Sequence, residues 1–496
     1  MKQSVLWIIV FAVALFSVSL AIKGEVSSLG LRYQYDDYAW DVGGPFETSG
    51  SRARYALTES IVTRQSFILS PEETAFAAPD VSGFVGNYYS AFTPGVSLLA
   101  LPLYVIGQIF KAPQIGAFLL NTLLILVDAF LIYRIARKIG TSTIPAVISG
   151  LAFLLCSNAL TYSGSFTQHL AVTMVVLTSL LISASPASIV SAASLGIITG
   201  WGMLFDLPAM LMLSPALIAY FSSALNLTLT AKKISFNLNP NLSAFIFALV
   251  PLIILFMIYN LGTTGQPFTV AQFIGRPAEF QSLSSTASSS ANLALPYLPR
   301  SLIDGLHTLV IGDERGLLLY FPLSVFAIAG LIYSLRHPST RTLAGTAFFV
   351  ILINIVSYGM FGDPWGGWSY GPRYLIPATA VLSAFIGVAL EKIYSQLLIF
   401  FFIVISYFSV FLSFLGALTT SQVPPVQEAR SLIVEIPHTP LYNWQLLSSG
   451  NTGSLFYQLF FSEISPVYFY LLISLIVGTI FVGLYIVYLR GRNYEN

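Results

Sequence analysis

Three segments of this 496-residue sequence gather side chains suited to a charged, hydroxyl-rich ligand. The first is Tyr35-Asp-Asp-Tyr-Ala-Trp-Asp-Val-Gly-Gly-Pro-Phe-Glu, which sets Asp36, Asp37, Asp41 and Glu47 among aromatic rings. Aromatic faces stack on the C–H surface of a pyranose, and carboxylates accept its hydroxyl hydrogens. One such carboxylate could act as a general base, and the cluster could hold Mg²⁺ or Mn²⁺ through oxygen ligands. A solvated acidic loop is the plain alternative. The second is Arg52-Ala-Arg-Tyr-Ala-Leu-Thr-Glu-Ser-Ile-Val, which reads as a short helix capped by Thr48, Ser49 or Ser51. Arg52, Tyr55 and Glu59 share one face at spacing i, i+3, i+7, with Arg54 beside them. Such a helix could offer cations to a lipid phosphate and a carboxylate to a sugar, or simply lie at an interface with its charges solvated. The third is Gly362-Asp-Pro-Trp-Gly-Gly-Trp-Ser-Tyr-Gly-Pro-Arg-Tyr-Leu-Ile-Pro. Its Gly and Pro residues shape a tight backbone, Trp365, Trp368 and Tyr370 offer stacking faces, and Arg373 adds one cation. An arginine fork donates two parallel hydrogen bonds to phosphate. A tryptophan belt at a membrane interface explains the rings but not the Gly and Pro.

Weaker signals surround these. Tyr88 and Tyr89 follow a Gly-containing loop and read equally as ligand contacts or interface anchors. Gln168 and His169 open an apolar run. Asp128 falls deep in another and must face protein. Asp206 falls where two runs meet, at the surface, where a charge is cheap. Gln427, Glu428, His438 and Trp444 could line an acceptor site. The single cysteine, Cys156, allows no intrachain disulfide and reads as a small core residue.

The elements that must position these residues are membrane helices. Lys and Arg number 22, Asp and Glu 21, so only 9% of the chain is charged, against about 25% in soluble domains. Mean hydropathy is +0.79. These values exclude a soluble enzyme, a disordered chain and a basic nucleic-acid binder. Apolar runs predict an all-α integral membrane protein of about 12 transmembrane helices, within a range of 11–13. The first is 1–22, too long for a signal-peptide core and without a clear cleavage site. The others lie near 115–133, 142–162, 167–184, 188–205, 207–225, 242–261, 317–335, 342–361, 374–390, 396–416 and 466–489. Between the first two, 23–114 reads as a long extracytoplasmic loop with juxtamembrane helices. Its 23–92 stretch holds nine of the 21 acids.

The run 93–110 is broken by Pro94 and Pro102. If it does not cross, the clusters Arg134/Arg137/Lys138, Lys232/Lys233, Arg336/Arg341, Lys392 and Arg490/Arg492 all fall inside, as the positive-inside rule requires. It is therefore read as interfacial. Residues 115–416 form the multi-helix domain, with outer loops 262–316 and 362–371. A further outer loop spans 417–465, and 466–496 holds the last helix and a short tail. Both termini then face the cytoplasm of a plasma membrane.

With these segments in view, the chain resembles the GT-C clan of integral-membrane glycosyltransferases, and within it the protein mannosyltransferases and aminoarabinose transferases. The likeness rests on Arg54-Tyr-Ala-Leu-Thr-Glu-Ser, Tyr88-Tyr-Ser-Ala-Phe-Thr-Pro-Gly with Leu-Leu-Ala-Leu-Pro after it, Ser165-Phe-Thr-Gln-His, Arg315-Gly-Leu-Leu-Leu-Tyr-Phe-Pro and Trp365-Gly-Gly-Trp-Ser-Tyr-Gly-Pro-Arg-Tyr-Leu-Ile-Pro. The resemblance implies transfer of a sugar from a polyprenyl-phosphate carrier to a lipid, glycan or protein acceptor on the outer face, with inversion. Arg373, Arg52 and Arg54 would hold the donor phosphate. Tyr55, Tyr88, Tyr89, His169, Arg315, Trp365, Trp368 and Tyr370 would contact substrate. The partners implied are that donor and membrane lipid, not nucleic acid; no metal ligands are assigned, and oligomeric state is left open. The family places an acid three to four residues before the Arg-Tyr pair, where this chain has Gly50, Ser51 and Arg52. Either Asp36, Asp37, Asp41, Glu47 or Glu59 substitutes for it, or the activity is lost. A transporter of lipid-linked sugars and a non-catalytic GT-C-like subunit are the alternatives.

Overall fold

The computed structural model describes residues 3–24, 42–224, 239–274, 297–392, 395–431 and 436–495. Asp36, Asp37 and Asp41 lie outside them. The described chain runs α1 (Gln3–Ala21), α2 (Ser49–Arg64), α3 (Pro71–Ala77), a hairpin of β1 (Val81–Phe84) and β2 (Asn87–Ser90), α4 (Gly95–Ile109), α5 (Pro113–Lys138), α6 (Thr143–Cys156), α7 (Ala159–Tyr162), α8 (His169–Ser183), α9 (Ile189–Phe205), α10 (Ala209–Ala224) and α11 (Pro240–Thr264). It continues with α12 (Leu302–Leu306), α13 (Leu317–Tyr320), α14 (Ser324–Arg336), α15 (Arg341–Gly359), α16 (Ile376–Ser383), α17 (Ile386–Lys392), α18 (Gln396–Leu418), α19 (Val426–Ser431), α20 (Leu441–Ser448), α21 (Leu455–Phe460) and α22 (Pro466–Glu495).

The fold is the expected multi-pass helical one. Seven segments among the described residues are long and apolar enough to span a bilayer. The other expected spans are shorter or broken, each for a local reason. The 142–162 run splits into α6 and α7 where the Ser157 hydroxyl donates to Phe153 O and accepts from Ala159 N. The 317–335 run splits into α13 and α14 at Pro322, which lacks the N–H a helix needs. The 15 residues of α8 rise only about 22 Å, less than the roughly 30 Å of hydrocarbon. Linkers at such depth must find their hydrogen bonds in protein. The 163–168 linker does: Asn121 Nδ2 donates to Ser165 O and Thr167 O at 2.6 and 2.9 Å, and Phe166 N donates to the Ser51 hydroxyl at 3.2 Å.

The core centres on α6, buried from Pro145 to Cys156. Close backbone approach needs small residues here. A Cβ on Gly150 would lie 2.4 Å from Ala129 O of α5, and one on Gly387 2.6 Å from Pro145 O. By contrast α11 turns Ile246, Phe247, Ile254 and Ile258 outward, an apolar face suited to lipid.

Contacts between helix ends sort the bundle into two sides. At one, Ser142 N and Arg492 Nη1 both donate to Glu391. At the other, which carries the long loops, both ends of α4 are held: the Thr93 hydroxyl donates to Phe205 O at 3.0 Å, and Gln114 Nε2 donates to Lys23 O at 3.3 Å. The β-hairpin was not expected from sequence. Its register pairs Val81 with Ser90 and Phe84 with Asn87, around a Val85-Gly86 turn in which both residues have positive φ. A valine there gives no turn signal.

A buried clasp closes the loop-rich end. Lys23, just past α1, sets Nζ 3.0 Å from Glu47 Oε1 and donates to Thr419 O. The Glu47 carboxylate also accepts from Gly43 N, Ser421 N and the hydroxyls of Thr420 and Ser421. Burial pushes this carboxyl up, but Lys23 and the Ser421 and Thr420 donors outweigh it and hold it below its ordinary value.

Glu47→Gln would leave the Lys23 ammonium buried without its anion, a loss of about 3–5 kcal/mol. Thermal unfolding in detergent should show a large drop in the melting temperature. Because the folded carboxyl titrates below 4.5, the clasp's contribution is present above that pH and is lost as pH falls through the lowered value. An unchanged melting temperature would refute the clasp.

Candidate active site

Helix α2 begins where Thr48 accepts from Ser51 N. It sends Arg52 and Arg54 to faces roughly 200° apart. Arg52 donates to Phe76 O, Phe46 O and Ala78 O at 2.8–3.1 Å, tying α2 to α3. Those donors serve the fold, so the expected role in phosphate binding does not suit this residue. Arg54 points the other way. Its Nη1 donates to Gly50 O and its Nη2 to Gln168 Oε1 at 2.6 Å, while its Cζ lies 3.8 Å from the Phe92 ring centroid. Its Nε is buried without a hydrogen-bond partner among the described residues. Burial lowers its pKa to about 10, opposed by Asp206 and Asp80, so it stays charged at neutral pH.

Gln168 passes the contact on, with Nε2 3.5 Å from Asp206 Oδ2. Asp206 caps α9 in extended conformation, and its N–H donates to Gly202 O. Burial raises its carboxyl to about 6, partly offset by Arg54 and by bonds from Gln168, Tyr358 and Leu207 N. The Tyr358 ring stacks on Tyr374, centroids 4.4 Å apart and 8° from parallel. Arg373 sits beside that pair: its Cζ is 5.4 Å from the Tyr374 centroid, and it hydrogen-bonds Tyr374. Arg373 Nε is likewise buried without a hydrogen-bond partner. Among the described residues, neither Arg54 nor Arg373 is within salt-bridge distance of a carboxylate. His169 completes the cluster, edge-on to Tyr162 and Tyr374 at 5.8 and 6.0 Å. Nearby, Asp80 Oδ2 accepts from the Ser49 hydroxyl at 2.6 Å.

The structure therefore brings Arg54, Arg373 and His169 together and adds Gln168, Asp206, Tyr358 and Tyr374. It also accounts for the residues standing where the family carries an acid. A Cβ on Gly50 would lie 3.1 Å from Arg54 Nη1, and Ser51 is turned inward to Phe166 N.

Other expected site residues build the surroundings. Arg315, fully buried, donates to Trp365 O, Gly367 O and Val423 O and moulds the 362–371 loop. Asp363 folds back on Gly366 N and Gly367 N, both glycines having φ in the left-handed region. Trp368 Nε1 donates to Glu428, and the Tyr370 hydroxyl to Leu412 O. Trp365 Nε1 is buried without a hydrogen-bond partner. Tyr55 packs against Phe46 and Tyr104, and Tyr104 hydrogen-bonds Glu59. Tyr89 is buried in the hairpin. Tyr88 lines a separate groove of about 750 Å³ with Arg64, Ser70 and Asn87. In the last loop, His438 lies 3.7 Å from Asp313 and Trp444 packs on Tyr470. Glu47 has donors on both oxygens and no lone pair left for an acceptor. No three His, Cys, Asp or Glu side chains gather at metal-ligand spacing among the described residues.

No protein-family model matches the sequence, and no curated protein matches it. Solved structures do. ArnT from Cupriavidus metallidurans bound to undecaprenyl phosphate superposes with a TM-score of 0.54 at 14% identity, over 97% of this chain and 78% of that one. Its apo state gives 0.53 over the same shares at the same identity. AglB from Archaeoglobus fulgidus, in complex with an inhibitory peptide and a dolichol-phosphate, gives 0.46 at 14% identity, over 87% and 58%. The ArnT likeness gives the chain the GT-C fold.

The two kinds of arginine should separate on substitution. Arg52→Ala strands three buried carbonyls, each costing about 1–3 kcal/mol, and should lower the melting temperature in detergent sharply. Arg373→Gln removes a buried charge with an unmet donor and should leave stability equal or higher. The reverse order would overturn the assignment.

Proposed function

We propose that this chain is a membrane glycosyltransferase. It takes a sugar from a polyprenyl-phosphate carrier and transfers it, with inversion, to a hydroxyl acceptor. The observation that carries this reading is the pair Arg54 and Arg373, two cations in one buried cluster that, among the described residues, each keep an Nε without a hydrogen-bond partner and lie beyond salt-bridge distance of a carboxylate. An anion supplied from outside would satisfy both. ArnT, which shares the fold, was solved with undecaprenyl phosphate.

The chemistry follows from charge. The donor's phosphodiester carries one negative charge. When the anomeric C–O bond breaks, its electron pair goes to the phosphate oxygen, and the leaving group becomes a phosphomonoester dianion. Positioned guanidinium groups stabilise that developing charge more than the ground state, which is what accelerates a reaction. Tyr358, Tyr374 and Trp365 border the cluster with aromatic faces on which a sugar can stack. The positive-inside pattern puts this end of the bundle outside a plasma membrane, with both termini in the cytoplasm. A metal is not needed to neutralise the phosphate while both arginines are charged; Mg²⁺ or Mn²⁺ would have to draw on Asp36, Asp37 or Asp41.

The test uses purified full chain in lipid nanodiscs with labelled undecaprenyl-phosphate mannose or glucose. Hydrolysis or transfer is expected. Arg54→Lys and Arg373→Lys should each lower kcat about 10²-fold, because a point charge replaces the two-pronged donor. Binding of undecaprenyl phosphate without turnover would instead indicate a non-catalytic subunit. Lipid movement across the bilayer without product would indicate a transporter.

A further inference from the structure

The cluster contains a carboxylate whose place in it no sequence pattern announced. We propose that Asp206 is the base of this site and takes the proton of the acceptor hydroxyl. This rests on the transferase reading above.

Four other described acids of this end are engaged. Glu47 has donors on both oxygens. Glu59 receives the Tyr104 hydroxyl, Asp80 holds the Ser49 hydroxyl, and Asp363 is turned onto the Gly366 and Gly367 N–H groups. Asp206 accepts from Gln168 Nε2 on Oδ2 at a long 3.5 Å, and from Tyr358 and the Leu207 N–H. It is also linked to both arginines through side chains of the cluster. Gln168 connects it to Arg54, and the stacked pair Tyr358 and Tyr374 connects it to Arg373. A base must stand one sugar-ring away from the leaving phosphate, on the opposite face of the anomeric carbon. Asp206 is separated from Arg54 by the Gln168 amide, which leaves room between them for a sugar.

Its backbone is fixed on both sides. Asp206 N is held by Gly202 O, and Phe205 O receives the Thr93 hydroxyl. Leu204 packs so tightly on Gly95 that a Cβ there would come within 2.5 Å of its carbonyl. The step balances. The acceptor oxygen forms a bond to the anomeric carbon, and the carbon–oxygen bond to phosphate breaks with its electrons on phosphate. The hydroxyl proton ends on Asp206, leaving it neutral, while the dianion rests between Arg54 and Arg373. Burial raises this carboxyl to about 6, so at neutral pH it is ionised yet close to its proton affinity, which favours general-base work. The groups facing it are Arg54 from α2, Gln168 just before α8, Tyr358 from α15, and Tyr297 and Tyr374.

The experiment follows kcat/KM against pH for the full chain with labelled undecaprenyl-phosphate hexose and an alkyl glycoside acceptor. Binding of undecaprenyl phosphate is measured alongside. The expected wild-type profile falls on the acid side with a midpoint near 6. Asp206→Asn should lower kcat by about 10²–10⁴-fold, remove the acid limb and leave undecaprenyl phosphate affinity within about twofold. Asp206→Glu should restore part of the rate together with the limb. An Asp206→Asn protein that keeps the wild-type rate and limb overturns the proposal, and so does one that loses donor binding in step with rate. A wild-type protein that binds undecaprenyl phosphate but turns over no donor defeats the transferase reading, and the role of Asp206 falls with it.

Discussion

The candidate site depends on one electrostatic constraint: two guanidinium groups are buried in one cluster without a salt bridge to either among the described residues. Such an arrangement is unfavourable by itself, because burial disfavours charge and like charges repel. The surrounding structure must impose it. Arg52 locks α2 onto α3, Ser51 ties α2 to the 163–168 linker, and Arg315 sets the loop that leads into Arg373. The arginines of this end thus fall into two kinds. In Arg52 and Arg315 the donors meet backbone carbonyls and hold the fold. In Arg54 and Arg373 at least one buried donor stays unmet.

Much of this was legible in the chain, and what was not has physical reasons. Scarce charge identified a membrane protein. The structure brings Arg54, Gln168 and Asp206 into one chain of contacts, with Arg373 beside Tyr374. The Gly- and Trp-rich loop before Arg373 stood out because its composition suits neither a span nor an ordinary loop. The partition of the arginines was not legible. Arg52 and Arg54 are two residues apart, and only the packing of α2 decides which face meets carbonyls. Asp206 was read as a cheap surface charge because it stands alone between two apolar runs. Its partner Gln168 is 38 positions away, and Arg54 lies a further 114 beyond that. Glu47 looked like a sugar-binding acid because nothing local shows that residues 419–421 fold back onto it. The missing acid at positions 50 and 51 was visible in sequence; that Gly50 makes room for the Arg54 guanidinium was not.

The broken helices and the site belong together. Continuous spans on every side would have left no polar backbone at depth. The short α8 leaves the 163–168 linker at depth, and α5 satisfies its carbonyls with Asn121 and Thr122. Polar backbone thus meets polar side chains in a protein with few charges to spare.

The clasp at Glu47 sets an order of assembly. Its partners Thr420 and Ser421 lie 373 and 374 residues downstream. At a synthesis rate of about 5–20 residues per second, Glu47 waits on the order of 20–75 s before they exist. Throughout that interval Lys23 and Glu47 lack the carbonyl and hydroxyls of residues 419–421 that complete the clasp. The clasp therefore closes late in biogenesis, and a chain truncated before residue 419 would carry both arginines without it.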